Sequence, residues 1–198
     1  MNNFFAPRRR WASIAASGLD TRRFSDMSGL FCDCRRLSTV DVSRWDTSNA
    51  TDMLLMFRGC QSLRRLDVSR WDTSRVNNMG EMFKGCRRLQ ALNVSGWNTS
   101  RVENMIGLFE GCASLTSLDC SGWDLSSVPE GGIGRMFRGC RSLRRLKLSG
   151  GFLRLCPGCD LGLGTCPVLY DIQVPGGLLA AFRAALPLCS TRLHAAGR

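Results

Sequence analysis

The stretch LDVSRWDTSRVNNMGEMFKGCRRLQA, Leu66 to Ala91, decides the fold, because the chain repeats it. Trp45, Trp71, Trp97 and Trp123 are each 26 residues apart, as are Cys34, Cys60, Cys86 and Cys112. Cys140 follows after 28, the two extra residues falling in Pro129-Glu130-Gly131-Gly132, and Cys166 restores the spacing of 26. Self-similarity at such a period is the signature of a repeat architecture, in which no single copy can bury its own apolar face.

Two apolar periods lie inside each copy. Met79, Met82, Phe83 and Cys86 fall at i, i+3, i+4 and i+7, the spacing of one face of a short helix. The set recurs as Met27/Leu30/Phe31/Cys34, Met53/Met56/Phe57/Cys60, Met105/Leu108/Phe109/Cys112 and Ile133/Met136/Phe137/Cys140. Asp26, Asp52, Asn78 and Asn104 stand just before it, where a side-chain oxygen caps free N–H groups. Gly59, Gly85, Gly111 and Gly139 stand near its end, where a left-handed cap favours glycine. The period then drops to two at Val40/Val42, Leu66/Val68, Leu92/Val94, Leu118/Cys120 and Leu146/Leu148, which predicts a short strand with one buried face. The expectation is an α/β solenoid with a short parallel strand and a short helix in each 26-residue repeat.

The frame reaches past the clear copies. Ile14, Ala16, Leu19-Asp20-Thr21 and Phe24 match a degenerate first copy, and residues 146–171 a decayed last one. This divides the chain into an N-terminal cap or tail over 1–13, the repeat solenoid over 14–171 and a closing strand and helix over 172–198. Phe4, Phe5 and Trp11 are expected to cover one end. Leu178, Leu179, Phe182 and Leu186 would form a helix closing the other, stopped at Pro187.

Composition narrows the function. No run of 18 apolar residues exists, so no membrane-spanning helix is expected. No signal-peptide core follows Arg8-Arg9-Arg10. The single histidine, His194, argues against a histidine triad or an HExxH zinc site. No nucleophile–base pair, phosphate loop or repeated carboxylate pair is visible, so no enzyme activity, cofactor or metal is expected. The formal charge is +11, and only Lys84 and Lys147 of the 27 basic residues are lysines. Such a field favours acidic partners.

The unit L-x-x-L-D-V-S-x-W-D-T-S-x-V-x-N-M-x-x-M-F-x-G-C, best seen over residues 66–112 and followed over roughly 14–174, resembles the BspA-like leucine-rich repeats of bacterial and protist surface proteins. The ending Ile172-x-Val174-Pro175-x-x-Leu178-x-x-x-Phe182 is similar to the closing strand and helix common in that family. The resemblance implies a leucine-rich-repeat-type solenoid and a binding role, such as adhesion or surface display, at the cell surface or after secretion. It implies no catalytic residues.

Candidate binding residues follow from the strand alternation. Asp41, Asp67, Asn93 and Asp119 should point outward, with Ser43, Ser69, Ser95 and Ser121 two places on, as a polar strip for a protein partner. Arg35-Arg36, Arg64-Arg65, Arg87-Arg88 and Arg144-Arg145 lie just before the strands. They would form arginine stripes, contact the acidic strip between repeats, or grip a nucleic acid or another polyanion. Three other columns have two readings each. The cysteines are either core thiols or bridges between repeats. The tryptophans are either packing or a stacking surface. Asp46, Asp72, Asn98 and Asp124 are either Asx turns or a calcium column. Cys156, Cys159, Cys166 and Cys189 number enough for zinc, but without paired CxxC spacing.

Overall fold

The computed structural model describes residues 12–156 and 159–196. The chain winds into a solenoid of about six turns with parallel strands and a few short helices. Among the described residues six strands lie along the solenoid, β1 (Ser13–Ile14), β2 (Thr39–Val40), β3 (Ser117–Cys120), β4 (Arg145–Leu148), β5 (Asp171–Val174) and β6 (Leu193–Ala195), while the two rungs between β2 and β3 are joined at Arg65 and Ala91 by an isolated bridge. β1 pairs with β2, and β3 to β6 form a four-stranded sheet, all parallel. Partners are set by the repeat: Ser13 faces Thr39, Leu118 faces Leu146, and Arg145 faces Asp171. Among the described residues no helix is long and apolar enough to cross a membrane.

The interior consists of files of identical side chains. Phe31, Phe57, Phe83, Phe109 and Phe137 are fully buried and stack at centroid separations of 5.0, 5.7, 5.9 and 6.1 Å. Offset ring stacks of this kind add to the burial of their area. Trp45, Trp71, Trp97 and Trp123 are buried beside them, each within 6.3 Å of a phenylalanine ring. Their indole N–H groups donate to Ala16, Val42, Val68 and Val94 carbonyls one rung back, at 2.8–3.3 Å. The tryptophan column is therefore packing with a satisfied polar edge.

The segment expected as a helix holds its apolar face differently. Met79–Cys86 forms a run of β-turns in which alternate N–H groups leave the rung: Met79, Glu81, Phe83 and Gly85 donate to Asn104, Ile106, Leu108 and Glu110 carbonyls at 2.7–3.0 Å. The intervening Met82, Lys84 and Cys86 amides close turns onto Met79, Glu81 and Phe83. Glu81 has φ 52° and Gly85 φ 75°, the left-handed geometry of the third residue in a type II turn. The same two columns are left-handed in the other rungs, at Gly29, Leu55, Gly107 and Arg135 and at Asp33, Gly59, Gly111 and Gly139. A left-handed residue every fourth position forbids a helix, while i, i+3, i+4 spacing still faces inward. Asp26, Asp52, Asn78 and Asn104 accept from the amides two residues on at 2.8–3.2 Å, so they are Asx turns rather than helix caps.

Helices occur only at the C-terminal end of the described chain. α1 (Gly151–Leu155) replaces the tryptophan corner, and its Phe152 continues the ring file onto Phe137 at 6.4 Å. α2 (Leu179–Ala185) buries Phe182 and ends before Pro187, as expected. It is not the last element, because a 3₁₀ turn over Pro187–Arg192 leads into β6 on β5. At the other end Ile14 and Ala16 are buried as the first copy requires. Ser13 already belongs to β1, one residue ahead of the expected boundary. Phe4, Phe5 and Trp11 lie outside the described residues.

Candidate functional site

The strand side of the solenoid carries an open groove of about 1010 Å³ that runs across successive rungs from Ile14 to Asp119. Its floor is the outer rim of Ile14, Val40, Leu66 and Leu92, and Asp41, Asp67, Asn93 and Asp119 line it. Thr39, Arg65, Ala91 and Ser117 form the opposite side. The four predicted strip residues are thus brought together, while the apolar floor and the neutral Thr39/Ala91/Ser117 column escape a reading based on charge. The signal for that column was present as a register position that is small or polar in most rungs.

Each strip residue is tied to its own serine. Asp41, Asp67 and Asp119 accept from both the amide and the hydroxyl of Ser43, Ser69 and Ser121 through one oxygen, at 2.6–3.1 Å. Asn93 and Ser95 repeat the pattern at 3.2 and 2.9 Å. The serine hydroxyls hold the Asp41 and Asp67 carboxyls below the usual carboxylate range. For Asp119, desolvation opposes the shift, but Ser121 and Lys147 together still lower it. The strip is consequently anionic at neutral pH and fixed in orientation. One oxygen of each carboxylate faces outward, that of Asp119 toward Lys147 at 3.2 Å.

The eight predicted arginines are all exposed, but they do not make one stripe. Arg35-Arg36 and Arg87-Arg88 follow the column cysteine directly, whereas Arg64-Arg65 and Arg144-Arg145 stand three residues later, across a buried leucine. Successive pairs are staggered, so like charges avoid direct register. Arg65 faces Ala91, and Arg145 faces Ser117. The expected Arg–Asp contacts between rungs are absent among the described residues. Arg35 pairs locally with Asp33 at 3.6 Å, and on the strand side Lys147 pairs across rungs with Asp119. The remaining basic network lies on the turn side. There Arg58 and Lys84 reach Glu81 at 3.3 and 2.9 Å, and Lys84 lies 3.2 Å from Glu110 without hydrogen-bond alignment.

The other columns have structural work. Cys60, Cys86, Cys112, Cys120, Cys140, Cys156, Cys159, Cys166 and Cys189 are free thiols. Cys60, Cys86, Cys112, Cys140 and Cys166 donate their S–H to Phe31, Phe57, Phe83, Phe109 and Phe137 carbonyls at 3.2–3.3 Å. Burial pushes these thiols up, Cys112 to about 12 and Cys166 to about 11, so they are poor nucleophiles. Cys156, Cys159 and Cys189 line a cavity of about 170 Å³ near α1. Cys166 is turned away into the column, and no group of three or more His, Cys, Asp or Glu among the described residues is placed to hold a metal. Asp46, Asp72, Asn98 and Asp124 accept from Ser48, Ser74, Ser100 and Ser126 amides at 2.9–3.1 Å, which makes them Asx turns.

A family model described as "Mycoplasma protein of unknown function, DUF285" matches residues 1–94 and again residues 56–148. The two overlapping matches are displaced by about two repeats, as the periodicity requires. No curated protein matches the chain.

Proposed function

We propose that this chain, which belongs to the DUF285 family, is a non-enzymatic docking module that receives an extended segment of a protein partner in its strand-side groove. The observation that carries the reading is the groove itself, an apolar floor walled on one side by three carboxylates and an asparagine held in fixed orientation. Preorganised polar groups over an apolar floor lower the ordering cost of binding, and an extended surface is what a solenoid offers a partner. The resemblance to BspA-like leucine-rich-repeat proteins supports a recognition role of this kind, including adhesion at a cell surface.

The test is selection from a displayed peptide library, followed by two variants. Ala91→Trp fills the groove from an exposed lining position and should abolish capture of the selected peptides. Asp41→Asn with Asp67→Asn keeps the Asx turns, removes two charges and should shift the selected sequences away from basic residues. Peptides that bind Ala91→Trp as tightly as the parent chain would place the docking surface elsewhere.

A further inference from the structure

The charge of the chain is concentrated on one side. The return segments that lead from the cysteine column to the strands, residues 35–39, 61–65, 87–91, 113–117 and 141–145, contain nine arginines and no carboxylate. Most of their neighbours in register are small or neutral, the exception being Asp171 opposite Arg145. Arg65 faces Ala91, the Gln90 amide donates to the Arg64 carbonyl at 3.2 Å, and the Arg144 amide donates to Thr116 at 2.9 Å. The acidic side chains nearby are engaged: Glu81 with Arg58 and Lys84, Asp119 with Lys147, Asp33 with Arg35 at the border of the face, and Asp171, beside Tyr170, accepting from Gln173 Nε2 at 3.0 Å. In the next rung the same segment carries Tyr170, 60% exposed, whose amide donates to the Arg144 carbonyl at 3.2 Å. An exposed ring therefore stands at the end of an array of guanidinium groups that carboxylates leave largely unneutralised.

We infer that this face, which borders the strand-side groove along Thr39, Arg65, Ala91 and Ser117, binds single-stranded nucleic acid. Four of the five segments bear arginine, and each presents planar donors that suit phosphate oxygens bidentately and stack on bases, which a lysine ammonium does not do. The staggered pairs offer a zigzag of cations along the solenoid axis. Tyr170 supplies the aromatic platform on which a base stacks. A sulfated glycan would use the arginines but has no base to place on Tyr170, so the ring decides between the two polyanions.

The experiment is fluorescence anisotropy of the full chain with labelled oligothymidylate at several salt concentrations. The logarithm of the association constant should fall with the logarithm of salt at a slope of about −3, from about 0.7 per phosphate at four arginine-bearing rungs. The exposed-surface variant Arg87→Ser/Arg88→Ser/Arg141→Ser/Arg144→Ser/Arg145→Ser, which clears two of the four arginine-bearing rungs, should roughly halve that slope with an unchanged thermal midpoint. Tyr170→Ala should weaken oligothymidylate binding at least about fivefold and leave its salt slope and heparin binding unchanged. Absence of binding, or binding that ignores salt, overturns the inference. Equal affinity for duplex and single strand, or affinity untouched by Tyr170→Ala, overturns the single-strand assignment.

Discussion

Replacement of Phe83 by alanine tests the interior file directly. Phe83 is fully buried, stacked on Phe57 at 5.7 Å and on Phe109 at 5.9 Å, and it meets the Trp97 ring at 6.2 Å. A buried Phe→Ala change costs about 3–5 kcal/mol through lost transfer energy and an unfilled cavity. Here the upper end applies, because three ring contacts are lost at once and ladder bonds from Phe83 to Leu108 and from Phe57 to Met82 fix the neighbouring backbone. Such a loss is a third or more of the stability of an ordinary domain, about 5–15 kcal/mol. Phe152→Ala is the matched control. Phe152 is equally buried, but among the described residues its ring contact is Phe137, tilted, at 6.4 Å, so its cost should sit near the lower end of the range. Urea unfolding followed by tryptophan fluorescence and by far-ultraviolet circular dichroism measures both. In a stack coupled only through nearest neighbours, a defect at the middle rung also divides the cooperative array. The two probes should therefore separate in Phe83→Ala and coincide in Phe152→Ala. A Phe83→Ala cost below about 1 kcal/mol, or a larger cost for Phe152→Ala, would refute the stacked-file account.

Arg135→Gly should stabilise the chain slightly, because a left-handed arginine at φ 57° costs about 1–2 kcal/mol against about 0.5–1 kcal/mol for glycine's extra unfolded freedom; a lowered thermal midpoint contradicts the turn geometry. Thr73→Val should cost about 1–3 kcal/mol, since it removes the buried hydroxyl that donates to the Asn98 carbonyl at 2.9 Å and leaves that acceptor in its pocket; denaturant midpoints check it against Thr73→Ser, which keeps the bond. Alkaline pH should destabilise the fold. The column thiols keep their protons to higher pH when folded than when unfolded, so the stabilisation is full below the ordinary thiol range and is lost as pH rises from about 8.5 toward the folded value of about 12 at Cys112. Unfolding free energy measured across that range should fall less steeply in Cys86→Ala/Cys112→Ala.

The rungs themselves could be read from the sequence because the solenoid forces one residue type per column wherever a side chain meets its own copy above and below. Trp97 and Phe83 recur for this reason, and so do Cys86 and Thr73, whose polar atoms each answer a carbonyl of the adjacent rung. The Asx turns at Asp72 and Asn98 were legible too, since either side chain offers the required oxygen. The helix was a misreading with a physical cause. Spacing of i, i+3, i+4 reports which side chains share a face, and a run of turns satisfies it as well as a helix does. What separates the two is the sign of φ at the third and seventh residues from Met79, and the glycine clue there is broken by Asp33, Leu55, Glu81 and Arg135. β6 was hidden for another reason. Leu193–Ala195 has one buried apolar residue, too little for a period, and pairs because the 3₁₀ turn after α2 delivers it to the open edge of β5.

The same constraint separates the two surfaces. On the strand side, Asp or Asn recurs with Ser at every clear rung because each pair completes a turn of its own backbone, so their regularity is a demand of the fold. On the return segments the fold asks only for the buried leucine at Leu37, Leu63, Leu89, Leu115 and Leu143. The flanking positions are free, and they alternate between arginine pairs and Gln, Ser, Ala or Thr with no carboxylate across five rungs. Folding does not require arginine there, and stability gains little from exposed like charges. A less basic surface would keep the same core at no loss, so replacing two of the nine arginines with Arg36→Glu and Arg88→Glu should leave the unfolding free energy within about 0.5 kcal/mol of the parent. A larger loss would show that the arginines serve the fold rather than a partner.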